Sequence, residues 1–107
     1  MPDPDDKRLA QIEQRIAKIK AELIALEAMR PGSLTRQYKD AQAQSGPYYQ
    51  LSYTRDMKSR TDYIPRHCVR EMRRLIRNYQ RFKVLTKEWV DLSIEHSRLQ
   101  IRLARKP

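Results

Sequence analysis

Arg66, Arg70, Arg73, Arg77 and Arg81 follow one another at steps of four, three, four and four residues. On a helix that spacing lines them up along one side. The stretch from Arg66 to Lys83 adds Arg74 and Lys83, and Glu71 is its one acid. A guanidinium presents its N–H donors in a planar fork that matches a phosphate or a guanine edge. The chemistry expected of this ridge is binding of a polyanion, with nucleic acid the first class to consider and an anionic membrane surface the next. A second basic group, Arg55, Lys58 and Arg60, lies among Tyr48, Tyr53 and Tyr63 in "GPYYQLSYTRDMKSRTDYIP". Aromatic rings beside cations suit stacking on unpaired bases, and the same rings also serve as amphipathic cover over a helix.

Catalytic chemistry is not expected. His67 and His96 stand 29 positions apart, on the order of 40 Å along one helix, too far to share a metal or a proton within the chain. Asp91 and Glu95, beside Lys87 and Arg98, read as a solvated edge. Cys68 is the single cysteine, so no intrachain disulfide and no cysteine zinc cage can form. Its place near a helix start suits packing better than reactivity. The sequence contains no phosphate-binding loop, dinucleotide fingerprint or nucleophile elbow. The expectation is a protein without enzymatic activity, metal or cofactor.

The elements that must position the arginines belong to a chain of 107 residues with net charge +10, a length that suits one domain with a single core. The charge is uneven: residues 1–29 hold five basic and six acidic side chains, and residues 30–107 hold eighteen and seven. That split is the pattern of one part that assembles and another that meets a polyanion. One cysteine, an Asp-rich start without a basic and apolar leader, and no long apolar run together suggest a cytoplasmic setting away from membranes.

Asp3-Pro4-Asp5-Asp6 has the residues of a helix start: an acceptor at the N-cap, proline at the first position and carboxylates in the first turn. Helix 1 is predicted over 4–29. Leu9, Ile12, Ile16, Ile19, Leu23 and Leu26 alternate at three and four, the spacing of a coiled-coil seam. That seam is expected either to pack on helix 2 of the same chain or to form a homodimer. A parallel homodimer would set Arg15 against Lys20 and Glu22 against Glu27, which repel. Arg30-Pro31-Gly32 ends the helix.

Residues 30–46 lack a clear period and read as a loop or poorly ordered arm with one turn of helix near Thr35 to Asp40. A β-hairpin is expected over 47–65. With Asp56-Met57 as its turn, Tyr49 falls opposite Ile64 and Tyr53 opposite Arg60, leaving Tyr49, Leu51 and Ile64 on one face to bury. Helix 2 is expected over 66–104. The fold class is therefore mainly α: two long helices in an elongated antiparallel or coiled-coil-like stalk, with a small hairpin inserted between them.

The segments "RPGSLTRQY", "GPYYQLSYTRDMKSRTDYIP" and "NYQRFKVLTKEWVDLSIEHSRL" resemble a small prokaryotic domain of unknown function that is often encoded beside transposases and other mobile-element genes. The resemblance spans about residues 30–100. It implies a first helix, a Gly-Ser-Leu segment, a Gly-Pro-Tyr-Tyr strand entering a hairpin, and a long helix with an Asn-Tyr-x-x-Phe segment. Many relatives carry a cysteine cluster before Gly-Pro-Tyr-Tyr; here "KDAQAQS" stands in its place, so no metal knuckle is expected. The reading that follows is a non-enzymatic nucleic-acid-binding accessory protein of a mobile element, phage or associated effector complex. The alternative is a structural adaptor for an acidic protein.

Overall fold

The computed structural model describes residues 3–40, 42–43 and 45–107. The chain divides into two compact units, residues 1–26 with 81–107, and residues 27–80. Buried residues occur in both: Ile12, Ile19, Leu85 and Leu99 in the first, Leu51, Ile64 and Ile76 in the second. The expected single core is thus replaced by two small ones, because one helix, α2 (Val69–Ala104), supplies apolar residues to both units.

In the first unit, α1 (Pro4–Ala25) starts as its sequence dictates. The Asp3 carboxylate accepts from the Asp5 amide at 2.8 Å, Pro4 opens the helix, and Asp5 and Asp6 lie in the first turn. It ends earlier than predicted, at Ala25 and not at residue 29, as Leu26 turns to extended backbone. Helix propensity is overridden by partners farther on. In the second unit the Ala28 carbonyl accepts from the Asn78 side-chain amide at 2.9 Å, and the Arg30 amide donates to the Leu75 carbonyl at 3.0 Å. The backbone of 27–30 therefore gains tertiary hydrogen bonds in place of helical ones.

The seam of α1 is occupied within the chain. Ile12 and Ile19 are fully buried, and Leu9, Ile16, Leu23 and Leu26 are half-buried. Ion pairs fix the register. Arg8 reaches Glu95 at 2.6 Å, Arg15 reaches Glu88 at 2.5 Å, and Arg81 reaches Glu22 at 2.6 Å. Each advance of seven residues on α1 is matched by a retreat of seven on α2, so the two segments run antiparallel. Arg15 and Glu22, which would repel in a parallel homodimer, meet opposite charges here. Arg102 on Asp5 and Lys106 on Asp3 close the far end.

These pairs make the first unit acid-sensitive. Hydrogen bonds from Arg15 and Arg8 hold Glu88 and Glu95 below the ordinary value of 4.5, and Arg102 and Lys106 hold Asp5 and Asp3 below 3.8. With folded values depressed, the folded unit binds fewer protons than the unfolded chain. The stabilisation is complete above the unfolded values and is lost as pH falls through the folded ones. Thermal melts followed by circular dichroism should hold their midpoint from neutral pH to about 5 and then drop steadily. The double variant E88Q/E95Q should show a shallower drop.

The second unit is a three-stranded antiparallel sheet in the order β1 (Ser33–Asp40), β2 (Ser45–Arg55), β3 (Lys58–Ile64), followed by a 3₁₀ turn, Arg66–Cys68, that leads into α2. The hairpin register is the predicted one, with Tyr49 opposite Ile64 and Tyr53 opposite Arg60. Leu51, Ile64 and Ile76 form the core, and Leu34, Tyr49, Tyr53, Cys68, Val69 and Met72 pack against it. The α2 segment thus covers the sheet face that Leu51 defines. Gly32 takes φ +140, and a Cβ there would collide with the Leu51 side chain, so the approach to β1 requires glycine.

The segment 30–46, read as a loop, holds β1. Its signal is faint because it is an edge strand in which only Leu34 and Tyr38 are half-buried; β2 supplies its hydrogen-bond partner through pairs from Ser33–Ser52 to Asp40–Ser45. Of the cysteine-free "KDAQAQS", Lys39 and Asp40 end β1 and Ser45 begins β2, the Asp40 carboxylate accepts from the amides of Gln42 and Ala43 at 3.1 Å, and Ala41 and Gln44 lie outside the described residues.

At the β2–β3 turn Asp56 and Met57 have φ 52 and 63, the two positive values of a primed turn, in which Met57 is the misfit. Its side chain is 98% exposed, so no packing offsets the left-handed backbone. M57G is expected to stabilise the unit by about 1 kcal/mol, read as a raised urea midpoint with an unchanged m-value.

Candidate polyanion-binding surface

The arginine ridge is sorted by what lies beside each member. Arg74 is taken by Glu71 at 2.7 Å and Glu27 at 2.9 Å, and this double pairing raises its already high pKa. Arg81 belongs to the first unit, where Glu22 holds it. Lys83 also lies in the first unit. Arg66, Arg70, Arg73 and Arg77 remain in the second unit, exposed, with no ion pair to another described residue. The sequence placed Arg81 on the ridge and counted one local acid; it missed Glu22 and Glu27, which α1 and the segment after it bring up from distant positions.

Arg70, Arg73 and Arg77 occupy one flank of α2, about one guanidinium per 5.4 Å turn, and Arg66 stands in the 3₁₀ turn that leads into it. The helix face that carries Val69, Met72 and Ile76 is buried on the sheet, so this flank emerges beside β1. There Arg73, Ile76, Arg77 and Gln80 line an open cleft of about 250 Å³ together with Gly32, Ser33 and Leu34. Arg36 alternates with Leu34, so it shares the α2-facing side of the edge strand. It sits in the row Arg36–Tyr49–Ile64, which leads through Pro65 to Arg66. Its guanidinium lies 5.2 Å from the Tyr38 ring centroid. Arg36 and the cleft escaped the sequence reading because both depend on β1 being a strand.

The hairpin residues do not converge on this flank as a group. Arg55, Lys58 and Arg60 are exposed at and near the tip, without an ion pair to another described residue. Tyr53 points to the core side and carries the Arg30 guanidinium 4.6 Å from its ring centroid, while Arg30 also pairs with Asp62. Its ring is therefore not open to a base. Tyr48 and Tyr63 lie on the opposite sheet face and stack on each other at 6.4 Å and 24°. That face is otherwise hydroxyl-rich, with Ser52 bonded to Thr61 at 3.2 Å and Thr54 to Ser59 at 3.1 Å.

Among the described residues no group of three or more His, Cys, Asp and Glu side chains could hold a metal ion. No described helix is long and apolar enough to cross a membrane. Arg70, Arg73 and Arg77 on the helix flank, Arg66 in the turn before it and Arg36 on the edge strand, none ion-paired to another described residue, are groups that can neutralise phosphates.

Residues 6–74 match a family described as a domain of unknown function (DUF6788), and the chain belongs to that family. The match begins in α1, earlier than the resemblance read from the sequence. It stops in the second turn of α2, before the Asn78-Tyr79-Gln80-Arg81-Phe82 segment, which is therefore not part of the matched region. It takes in Arg36, Arg66, Arg70 and Arg73 and leaves out Arg77. No curated protein and no solved structure matches the chain.

Proposed function

We propose that this protein binds nucleic acid through its phosphate backbone, without catalysing a reaction, by means of Arg36, Arg66, Arg70, Arg73 and Arg77. The observation that carries this reading is that Arg36, Arg66, Arg70, Arg73 and Arg77 of the second unit are exposed with no ion pair to another described residue, whereas Arg8, Arg15, Arg74 and Arg81 each meet a carboxylate. Unpaired like charges repel one another, and a polyanion relieves that repulsion while releasing its counterions. Arg55, Lys58 and Arg60 share the Tyr53 side of the hairpin and the Tyr48–Tyr63 pair lies on the other, so they are two further surfaces, either of which a longer or single-stranded ligand could reach after the first contact. An accessory role in a mobile element, phage or effector complex rests on the resemblance to domains encoded beside transposases, and a cytoplasmic setting goes with it.

The test is fluorescence anisotropy with labelled single-stranded DNA, duplex DNA and single-stranded RNA, at salt from 50 to 300 mM. Five phosphate contacts should give a slope of log affinity on log salt of about −3.5 for single strands and about −4.5 for duplex. Absence of binding at 50 mM salt, or affinity indifferent to salt, overturns the reading. An acidic protein retained after nuclease treatment would instead favour the adaptor role.

A further inference from the structure

The second half of α2 has two apolar sides. Leu85, Leu92 and Leu99, seven residues apart, form the side turned into the first unit, two of them buried and Leu92 half-buried. On the opposite side Val90, Ile94 and Ile101 are 59%, 45% and 52% exposed. Positions 83, 87, 90, 94, 97, 101 and 104 step by four and three in strict alternation; Lys83, Lys87 and Ser97 stand at three of them, and Val90, Ile94, Ile101 and Ala104 form the apolar part of this outer heptad line. The described residues leave Val90, Ile94 and Ile101 open to solvent. Shallow grooves flank Val90, one lined by Thr86, Trp89, Ser93, Ile94 and Ser97, so both walls belong to the same helix.

The hydroxyls along this seam are already satisfied. Thr86 donates to the Phe82 carbonyl at 2.8 Å, Ser93 to Trp89 at 2.8 Å, and Ser97 to Ile94 at 2.9 Å. A surface whose small polar groups bond back to their own helix can lose its water at little cost. Such a seam suits another helix.

We propose that the occupant is a second copy of this chain, paired antiparallel through the outer seam of α2. Charge decides the direction. A parallel in-register pair would place Lys87 on Lys87 inside the interface and set Arg98 beside Ser93, with no attraction gained. In the antiparallel pair with Ile94 opposite Ser97 of the second copy, Val90 meets Ile101 of that copy and each large side chain faces a complementary one. Two-fold symmetry repeats every contact. Asp91 then lies beside Arg98 of the second copy, twice. In the monomer Asp91 bonds Lys87 at 2.7 Å and Arg98 has no ion-pair partner among the described residues, so the dimer extends an existing pair into a three-residue network. Lys87 moves opposite Ala104, at the open end of the seam.

The experiment is light scattering and sedimentation of nuclease-treated protein across a range of concentrations. The expected result is a mass rising to twice 12.8 kDa. D91R and R98D should each weaken the dimer at least tenfold by setting like charges together, and the double variant D91R/R98D should restore it. Circular dichroism confirms that these surface variants stay helical. In a Cys68→Ser background, oxidising a mixture of I94C and S97C chains should give a cross-link between the two variants in preference to either alone. A protein monomeric at every concentration, a dimer indifferent to these substitutions, charge reversal without rescue, or cross-linking of each variant chiefly to itself would each overturn the proposal.

Discussion

Replacing Arg66, Arg70, Arg73 and Arg77 together with glutamine is expected to lower nucleic-acid affinity on the order of 100-fold at 50 mM salt and to flatten the salt dependence by about 3. Each of these side chains is exposed with no ion pair to another described residue, so its replacement should remove the proposed phosphate contact without breaking an ion pair. The same change at Arg74 and Arg81 should leave the salt slope almost intact. Those two already have partners, Glu71 and Glu27 for one and Glu22 for the other, and a ligand would have to displace a carboxylate before using them. Their loss should show instead as a lower melting temperature. The contrast separates this surface from general basicity, because both sets come from one helix and have the same residue type. Equal losses from the two sets would mean that net charge alone governs binding and that the flank has no special part in it.

Leu51→Ala is expected to cost about 2–5 kcal/mol, the largest stability effect of any single truncation in the second unit. Leu51 is fully buried at the centre of β2, between Leu34 on one neighbouring strand and Asp62 on the other, and it belongs to the core cluster with Ile64 and Ile76. With so few buried residues, the cavity has little around it that can collapse inward. Small domains are held by only about 5–15 kcal/mol, so much of the sheet should open. Hydrogen exchange should show the amides of β2 and β3 losing protection, whereas Leu51→Met should cost under about 1.5 kcal/mol. Normal protection in the alanine variant would show that the sheet does not depend on this core. Opening of the sheet also takes Arg36 and the wall of the Arg73–Arg77 cleft away from the helix, so binding by L51A should weaken although no arginine is touched.

Several features of the fold are legible in the sequence because they depend on short-range rules. The helix start at Asp3-Pro4 follows from orphan amides and the local dipole. The hairpin register follows from two turn residues and the two-residue alternation of a strand. The α1 seam follows from heptad spacing. The arginine flank follows from steps of three and four. β1 was hidden because the side it turns toward α2 carries only Leu34 and Tyr38 as half-buried residues, with the exposed Arg36 between them.

By itself, then, the sequence determined which segments coil, where the chain reverses at Asp56-Met57, and that basic side chains line one side of a helix. The tertiary structure alone decided where α1 stops, that residues 33–40 are a strand, and which arginines are held by distant carboxylates. Arg81 and Glu22 are 59 positions apart and Arg74 and Glu27 are 47 apart. Whether such charges cancel depends on how two distant segments are set against each other, and that is fixed by packing of Ile12, Ile19, Leu85 and Leu99 in one unit and of Leu51, Ile64 and Ile76 in the other. Periodicity records which side of an element a residue occupies; only the packed chain brings a carboxylate to that side.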